Sequence, residues 1–469
     1  MHFSVAENLK IWLALCVAYA SALSPIDPSK FAEGDQITRD VCVIGGGSAG
    51  TYGAIRLKQL GQSVVVIEKE DQLGGHANTY TDPATGRTAD YGVQKLADIP
   101  VVRDYCAHLN VPLAVLEASS QAPLYIDFDT GEKVDTQDAS DPESVAAALE
   151  KYDAQRAKYK FLDDGFTLPD PVPNDLLLRF GDFAVKHGLE AAVSTIASGA
   201  FGFGNILHQP SLYVLKYYTR GEGSLFSNLV APEDGGMGSL FEAAQSKLGA
   251  DALLQSTVLQ MERDPKQDTI RVVVKTPSGK KLITARKLLV AIPPKIDNLK
   301  GFDLCDTEHS LFSEFENTHL FTALLNNTGI GDGLPRLNTS PDTRYNLPSL
   351  PTSHLAYPAA IQGLIQLFYD SADPIARETV KSNIIKDIRT LRNAAGIPPA
   401  APDFLGFEDH SPYLLTVSPR AIVGGFYSDV NALQGQRNTY YTGAAFQMHN
   451  SAMIWNFTEG IVQRMIAES

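Results

Sequence analysis
"VCVIGGGSAGTYGAIRLKQLGQSVVVIEKE", residues 41–70, runs as an apolar stretch, a knot of glycines, a second apolar stretch and an acid. Residues 41–44 are short and β-branched, which reads as a buried parallel strand rather than a helix. Gly45, Gly47 and Gly50 follow in the spacing G-x-G-x-x-G, and Ala54, Leu57 and Leu60 then recur at helical intervals. Residues 64–67 predict a second strand, with Glu68 at its end. In such a unit Gly45 permits the turn, the missing side chain at Gly47 lets a pyrophosphate approach the backbone, and Gly50 lets helix and strand pack closely. The helix start offers free N–H groups and the positive end of a dipole to phosphates. The Glu68 carboxylate is suited to accept hydrogen bonds from ribose hydroxyls and disfavours a 2′-phosphate, which argues against NADP. An isolated glycine motif is about as often an ordinary turn. Strand, helix, second strand and acid in this order favour dinucleotide binding.

The chain has 469 residues, 44% of them hydrophobic, which is enough for a large core and suggests two or three domains. Its formal charge is −15 and no basic cluster stands out, so nucleic acid is not an expected partner. Residues 11–23 are apolar but too few to span a bilayer, and Ala20, Ser21 and Ala22 are small residues suited to cleavage. Residues 1–22 therefore read as a secretion signal, with no stable membrane insertion expected and the protein in the secretory pathway or outside the cell. Glu7 and the single Lys10 leave an uncleaved anchor as the alternative. With Cys16 in the signal, Cys42, Cys106 and Cys305 allow at most one disulfide. Asn326 and Asn338 head sequons open to glycosylation, whereas the sequon at Asn456 falls in a predicted buried helix.

No repeat or low-complexity tract interrupts the chain. "SDPESVAAALEKYDAQRAKYKFL" (140–162) and "PNDLLLRFGDFAVKHGLEAAVSTIAS" (173–198) predict helices, together an insert or lid. "LLQSTVLQMER", "TIRVVVKT" and "KLITARKLLVAIPP" read as strands within 253–294. Residues 301–435 mix predicted strands and turns with one helix near 375–395.

Onward from Glu68 the chain reads E-x5-G-G, ending in Gly74 and Gly75, and continues with "HANTY" and "ADYGVQ". Here it resembles the FAD-dependent amine-oxidase superfamily, and within it the fungal β-cyclopiazonate dehydrogenase-like flavoproteins of secondary metabolism. The resemblance implies FAD, with Gly74, Gly75, His76 and Gly92 among its contacts. "GGMGSLFEAA" (235–244) resembles the family's glycine turn, and Val258 matches the position whose backbone meets the adenine. "KLLVAIPP" (287–294) resembles the strand that closes the FAD domain. In "YYTGAAFQMHNSAMIWNFTEG" (440–460), Gly443 matches the turn beside the ribityl chain, and the helix start at Met453 matches the end that points at the flavin pyrimidine. A helix N-terminus there stabilises negative charge on reduced flavin.

The departures are informative. His76 replaces the family's usual arginine, and Ala444 replaces a frequent acid. "ENTHLFTALLNN" (316–327) has no lysine where amine oxidases often place one under the flavin, only His319 and Thr322, which become the candidate catalytic residues. His76 reads as a cofactor contact, a covalent tether or a structural histidine. His319 and His449 read as structural residues or as groups approaching the ring, and Trp455 and Tyr441 as pocket lining or as packing. The expected fold class is α/β. A Rossmann-type, amine-oxidase-like FAD-binding domain (38–100, 231–298 and 436–469) is interleaved with an α+β substrate domain (101–230 and 299–435). The expected function is hydride removal from a bulky apolar small molecule, with ring formation. A secreted amine or amino-acid oxidase is the first alternative. A non-catalytic binding protein on the same scaffold, as in the Rab GDP-dissociation inhibitors, is the second. Oligomeric state is not readable.

Overall fold
The computed structural model describes residues 25–117, 123–134, 141–220, 227–264, 269–330 and 333–468. The predicted signal, with Cys16, lies outside the described residues. The opening motif folds as β1 (Gln36–Ile44), α1 (Ser48–Gln59) and β2 (Val64–Ile67). The first strand begins at Gln36, five residues before the apolar run. Its leading half alternates exposed and half-buried side chains, and the run of apolar residues marks only the fully buried half.

Around this unit are α2 (Gly236–Leu248), β3 (Ala252–Leu253), β4 (Thr257–Glu262), β5 (Ile270–Thr276) and β6 (Gly279–Val290). The strand order is β4-β5-β6-β1-β2-β3. β6 lies parallel to β1 along the whole of it, from Gln36 opposite Leu282 to Ile44 opposite Val290. On its other edge β6 pairs first with antiparallel β5, then with parallel β11 (Thr439–Tyr441). The segment 253–263, read as one strand, is thus two. β3 extends β2 at one edge, while β4 joins the meander at the other. Only residues 254–256 join them, so the meander folds back over the ends of the parallel strands. Both faces of the central strands are buried. Val41, Val43, Val64 and Val66 pack with Trp455 and the helical layer, whereas Cys42, Ile44, Val65 and Ile67 join the core that includes the helical insert. Such burial on both sides explains runs of Val and Ile without alternation.

A second sheet has the order β10-β7-β9-β8, built of β7 (Glu316–Asn326), β8 (Thr352–Pro358), β9 (Ile365–Ser371) and β10 (Asp403–Asp409), and extends to the short strands Arg336–Asn338 and Leu124–Ile126. α3 (Arg377–Ala394) covers one face, with Val380, Ile384, Ile388 and Leu391 against Phe321, Ala323, Leu325, Leu367 and Tyr369. Side-chain alternation turns Leu320, Thr322 and Leu324 to the other face. Residues 301–435 contain more helix than the single one predicted, with short helices at Asp306–Ser313, Pro419–Val423 and Phe426–Ala432. The insert is helical at Pro142–Arg156, Phe180–His187, Val193–Gly199 and Ser211–Tyr217. The final element, α4 (Ser451–Ala467), packs on α1.

Cys42, Cys106 and Cys305 are buried, and no disulfide joins them. Asn326 is exposed, but Asn338 is buried, its amide donating to Thr352 Oγ1 (2.9 Å) and to the Ser353 carbonyl (2.8 Å) and accepting from the Phe128 N–H (3.1 Å). The Asn456 sequon does lie on a helix, yet Asn456 itself is on its exposed side, because Trp455 and Thr458 take the buried positions. No helix among the described residues is long and apolar enough to cross a membrane. No group of three or more His, Cys, Asp or Glu among them could hold a metal ion.

Candidate functional site
The three glycines of the motif are required for different reasons. A Cβ at Gly45, whose φ is +98°, would lie 2.6 Å from the Ile292 side chain, and one at Gly50 would lie 1.9 Å from the Gly45 carbonyl oxygen. These two are fixed by the protein's own packing. Gly46, passed over by the spacing rule, is equally constrained, since its Cβ would fall 2.3 Å from Leu73 Cδ2. Gly47 differs: its φ of −69° suits any residue, and a Cβ there would meet nothing nearer than Gly75 Cα at 3.8 Å. Internal packing therefore leaves room beside Gly47, at the uncapped start of α1.

The Gly74–Gly75 pair closes the other side of this space. The Gly74 N–H donates to the Gly46 carbonyl (2.9 Å), Gly47 and Gly74 form a parallel bridge, and a Cβ at Gly75 would come within 3.0 Å of Gly47 Cα. Glu68 is buried, its carboxylate accepting from the N–H groups of Gly46 (2.6 Å) and Glu70 (2.8 Å). Burial raises its pKa, and the two N–H bonds partly oppose that. Each oxygen keeps lone-pair capacity for a ribose hydroxyl. Val258 is near this end of β2, since the Ser256 N–H donates to the Glu68 carbonyl (2.8 Å).

The C-terminal segment reaches the same turn. Ser451 Oγ is 3.0 Å from Ser48 Oγ, so the first residues of α1 and α4 meet. Gly443, at φ +104°, has open space, the nearest atom to a Cβ being the Ala291 carbonyl at 3.8 Å. The Met453 N–H is taken by its N-cap, Asn450 Oδ1 (3.2 Å). Trp455 is packing rather than pocket lining, because its indole donates to the Ser48 carbonyl (3.1 Å) and its ring stacks on Tyr52. Tyr441 likewise points into the core and donates to Glu308 (2.6 Å). The start of α2 is closed by the protein itself, with Asp90 accepting from Met237 N–H (3.0 Å) and Thr79 Oγ1 from Gly238 N–H (2.8 Å).

His76 lies between the nucleotide turn and the second sheet. Its carbonyl accepts from the Val93 N–H (2.9 Å), and Gly92 is obligatory because a Cβ there would be 2.0 Å from that carbonyl oxygen. Its ring stacks on His410 (centroids 4.3 Å apart), 6.0 Å from that of His449, and His449 in turn stacks on Tyr413 at 3.7 Å. Burial pushes all three imidazoles down, His76 to about 4, so the stack is uncharged at neutral pH. His76 is therefore no cationic substitute for an arginine. His449 Nε2 accepts from the Leu414 N–H (3.0 Å), and His410 Nε2 is 3.0 Å from Asn78 Oδ1.

The two candidate catalytic residues part company. Thr322 faces the nucleotide side of the second sheet, 1% exposed, with Oγ1 lacking any partner. His319, an odd number of residues away, lies on the opposite face with Phe321, and its Nδ1 is 2.9 Å from Ser411 Oγ. Period-two alternation thus separates a pair that looked adjacent in sequence. Around Thr322 the sheet presents groups that sequence reasoning missed, notably Gln366, which accepts a hydrogen bond from Gln94 of the "ADYGVQ" segment. Strand register brings them together, and nothing local in the sequence announces it.

The chain matches the family described as flavin containing amine oxidoreductase over residues 49–396. It belongs to that family. It is 37% identical to "FAD-dependent oxidoreductase oblC" of Cochliobolus heterostrophus, over 95% of both chains. It is 32% identical to "Beta-cyclopiazonate dehydrogenase" of Aspergillus oryzae, over 96% of both. A solved structure, the CLA-producing fatty acid isomerase from P. acnes, superposes with a TM-score of 0.74 at 20% identity, covering 91% of this chain and 98% of the other. This member of the flavin containing amine oxidoreductase family is an FAD-dependent oxidoreductase. The open space at Gly47, bounded by two helix starts and the Gly74–Gly75 pair, fits a diphosphate that must touch the backbone.

Proposed function
We propose that this oxidoreductase takes a hydride from a bulky, mostly apolar secondary metabolite and that the oxidised product closes a ring. Gly45, Gly47, Gly50, Gly74 and Gly75 would cradle the diphosphate, Glu68 the ribose, Val258 the adenine, His76 and Gly92 the region near the ring, and Gly443 and Met453 the ribityl chain and pyrimidine. FAD supplies a two-electron acceptor for hydride, while the chain supplies orientation and a dry surrounding.

The observation that carries this reading is the sheet face beside the nucleotide turn. It bears Leu320, Leu324 and Phe368 around the unpartnered Thr322 hydroxyl, and the β7 strand contains no lysine. An apolar wall broken by a small cluster of unpartnered polar groups suits a large hydrophobic substrate oriented by a few hydrogen bonds. The similarity to a β-cyclopiazonate dehydrogenase supports the same class of substrate. Loss of hydride beside nitrogen, oxygen or an electron-rich ring leaves a cation-like carbon that an internal nucleophile can capture.

Anaerobic mixing of the holoenzyme with candidate metabolites tests this directly. The visible flavin band should bleach in step with formation of a cyclised product. Product formed without acceptor while the flavin stays oxidised would overturn hydride removal. Peroxide release from simple amines would instead identify an amine oxidase.

A further inference from the structure
We propose that His354 is the proton acceptor of this oxidoreductase, held in place by Asp370, and that the substrate carries an O–H or N–H group next to the carbon that is oxidised. The proposal rests on the hydride reading above, and its test separates the two.

Six buried side-chain polar atoms among the described residues lack a hydrogen-bond partner, and four of them belong to Thr322, His354, Gln366 and Asp370. Register brings these four residues together. Leu320 stands opposite Asp370, Thr322 opposite Phe368, and Leu324 opposite Gln366, so Thr322, Gln366 and Asp370 share one face. On β8 the pairing slips between Ser353 and Leu355, which lets both neighbours of the shift serve different faces. Ser353 bonds Asp387 of α3 (2.6 Å), while His354 Nδ1 stands 3.5 Å from Asp370 Oδ2. Unspent hydrogen-bonding capacity is costly in a buried place, and its concentration on one face marks a position for a polar group brought by a ligand.

The geometry within the pair is directional. Asp370 Oδ2 also accepts the Gly202 N–H (3.0 Å), which fixes the carboxylate, and Asp370 is 2% exposed. A carboxylate facing Nδ1 favours the tautomer with its proton there, leaving Nε2 as a buried lone pair without a partner. Phe201 meets His354 edge-on at 5.4 Å and stacks on Phe368 at 4.7 Å, and Tyr357 flanks Phe368 at 5.9 Å. These rings form an apolar wall beside the base. Burial pushes the Asp370 carboxyl up, His354 and the Gly202 N–H oppose that, and Asp370 in turn raises the hydroxyls of Tyr217 and Tyr413. Tyr413 also stacks on His449, joining this corner to the C-terminal segment of the nucleotide turn.

The step balances as follows. The substrate heteroatom gives its proton to His354 Nε2 as the adjacent carbon gives up a hydride, for which FAD, when bound, would supply the two-electron acceptor, and a double bond forms between heteroatom and carbon. The substrate loses two electrons, the cofactor gains them, and the imidazolium is stabilised by Asp370 until it releases its proton to solvent. Asp370 is a positioning residue, since it acts through His354.

A phenol that changes colour on ionisation reads the proton transfer without turnover. Difference spectra of 4-nitrophenol with the native holoenzyme should display phenolate at a pH where free 4-nitrophenol is mostly protonated. His354→Gln should reduce that band by about tenfold or more with flavin content unchanged, and its anaerobic flavin bleaching by substrate should slow by about 10²- to 10⁴-fold. Asp370→Asn keeps an acceptor for Gly202, so it guards against a folding artefact; it should weaken the phenolate band and slow bleaching while flavin content stays unchanged. Absence of a phenolate band, or an equal band in His354→Gln, overturns the proton site. Native bleaching rates in His354→Gln overturn it too while leaving hydride transfer standing. A His354-dependent band with no substrate able to bleach the flavin would sink the hydride reading alone.

Discussion
Among the glycines of the opening motif, Gly47 is the one that the protein's own packing does not demand. Compared as apoproteins, Gly47→Val should therefore match native stability within about 0.5 kcal/mol, as an ordinary substitution in open space does, while the variant as purified loses most of its flavin absorbance. Gly50→Ala should behave oppositely. Its methyl group would sit 1.9 Å from a backbone oxygen that cannot move without opening the turn, so a loss of about 3 kcal/mol is expected by denaturant titration even before cofactor is considered. Equal stability losses in the two variants would show that Gly47 too is held by internal packing. At Glu68, substitution by Ala removes the acceptor for the Gly46 and Glu70 N–H groups as well as any ribose contact. Glu68→Gln, which keeps one acceptor oxygen, should weaken FAD binding less than Glu68→Ala in a flavin-release titration.

At the scale of elements, the strongest tie between the meander and the C-terminal strand is ionic. Arg263, on the turn after β4 and 1% exposed, donates to Asp303 (2.7 Å) and Glu308 (2.7 Å), and Arg437 before β11 reaches the same two acids. Burial alone would push Glu308 up, but Arg263 and Arg437 outweigh it and hold the carboxyl at about 2. A carboxyl whose folded pKa is depressed contributes stability that is complete above its ordinary value of 4.5 and is lost as pH falls through about 2. Acid unfolding of the native protein should accordingly have a component in that window, absent from Glu308→Gln. That variant leaves the buried Arg263 and Arg437 to share the Asp303 carboxylate and should lose up to about 3 kcal/mol at neutral pH by the same titration. This cluster also shows what sequence could not convey. The strand, glycine turn, helix and second strand were legible because their residues are local: two apolar runs, glycines at fixed spacing and an acid. The helical insert was legible from caps and prolines. The sheet face with Thr322, Gln366, Asp370 and His354 depends on antiparallel register across three strands and on one irregularity in β8, and the separation of His319 from Thr322 depends on strand parity. Arg263, Glu308 and Arg437 come from three distant stretches, and no spacing links them.

Over the whole molecule, the helical insert is fastened to the nucleotide side through Lys216. Its ammonium, 6% exposed, donates to the carbonyls of Leu162 and Gly165 (2.6 Å each) and to Gln447 (2.8 Å), and Gln447 also accepts from the Gly165 N–H (2.7 Å). Lys216→Met would leave those buried carbonyls without a donor, costing about 2–3 kcal/mol. Since Gln447 lies four residues after Gly443, the same variant should lower flavin retention as measured by dialysis, although Lys216 is remote from the glycine turn in sequence. The meeting of Ser48 with Ser451 reaches further still, into the order of biosynthesis. The strand–turn–helix unit proposed to hold the diphosphate leaves the ribosome early, yet the helix that meets it starts 403 residues further along the chain. A nascent chain can therefore acquire its secondary structure long before it can hold its cofactor. A chain truncated before α4 should accordingly purify without flavin absorbance.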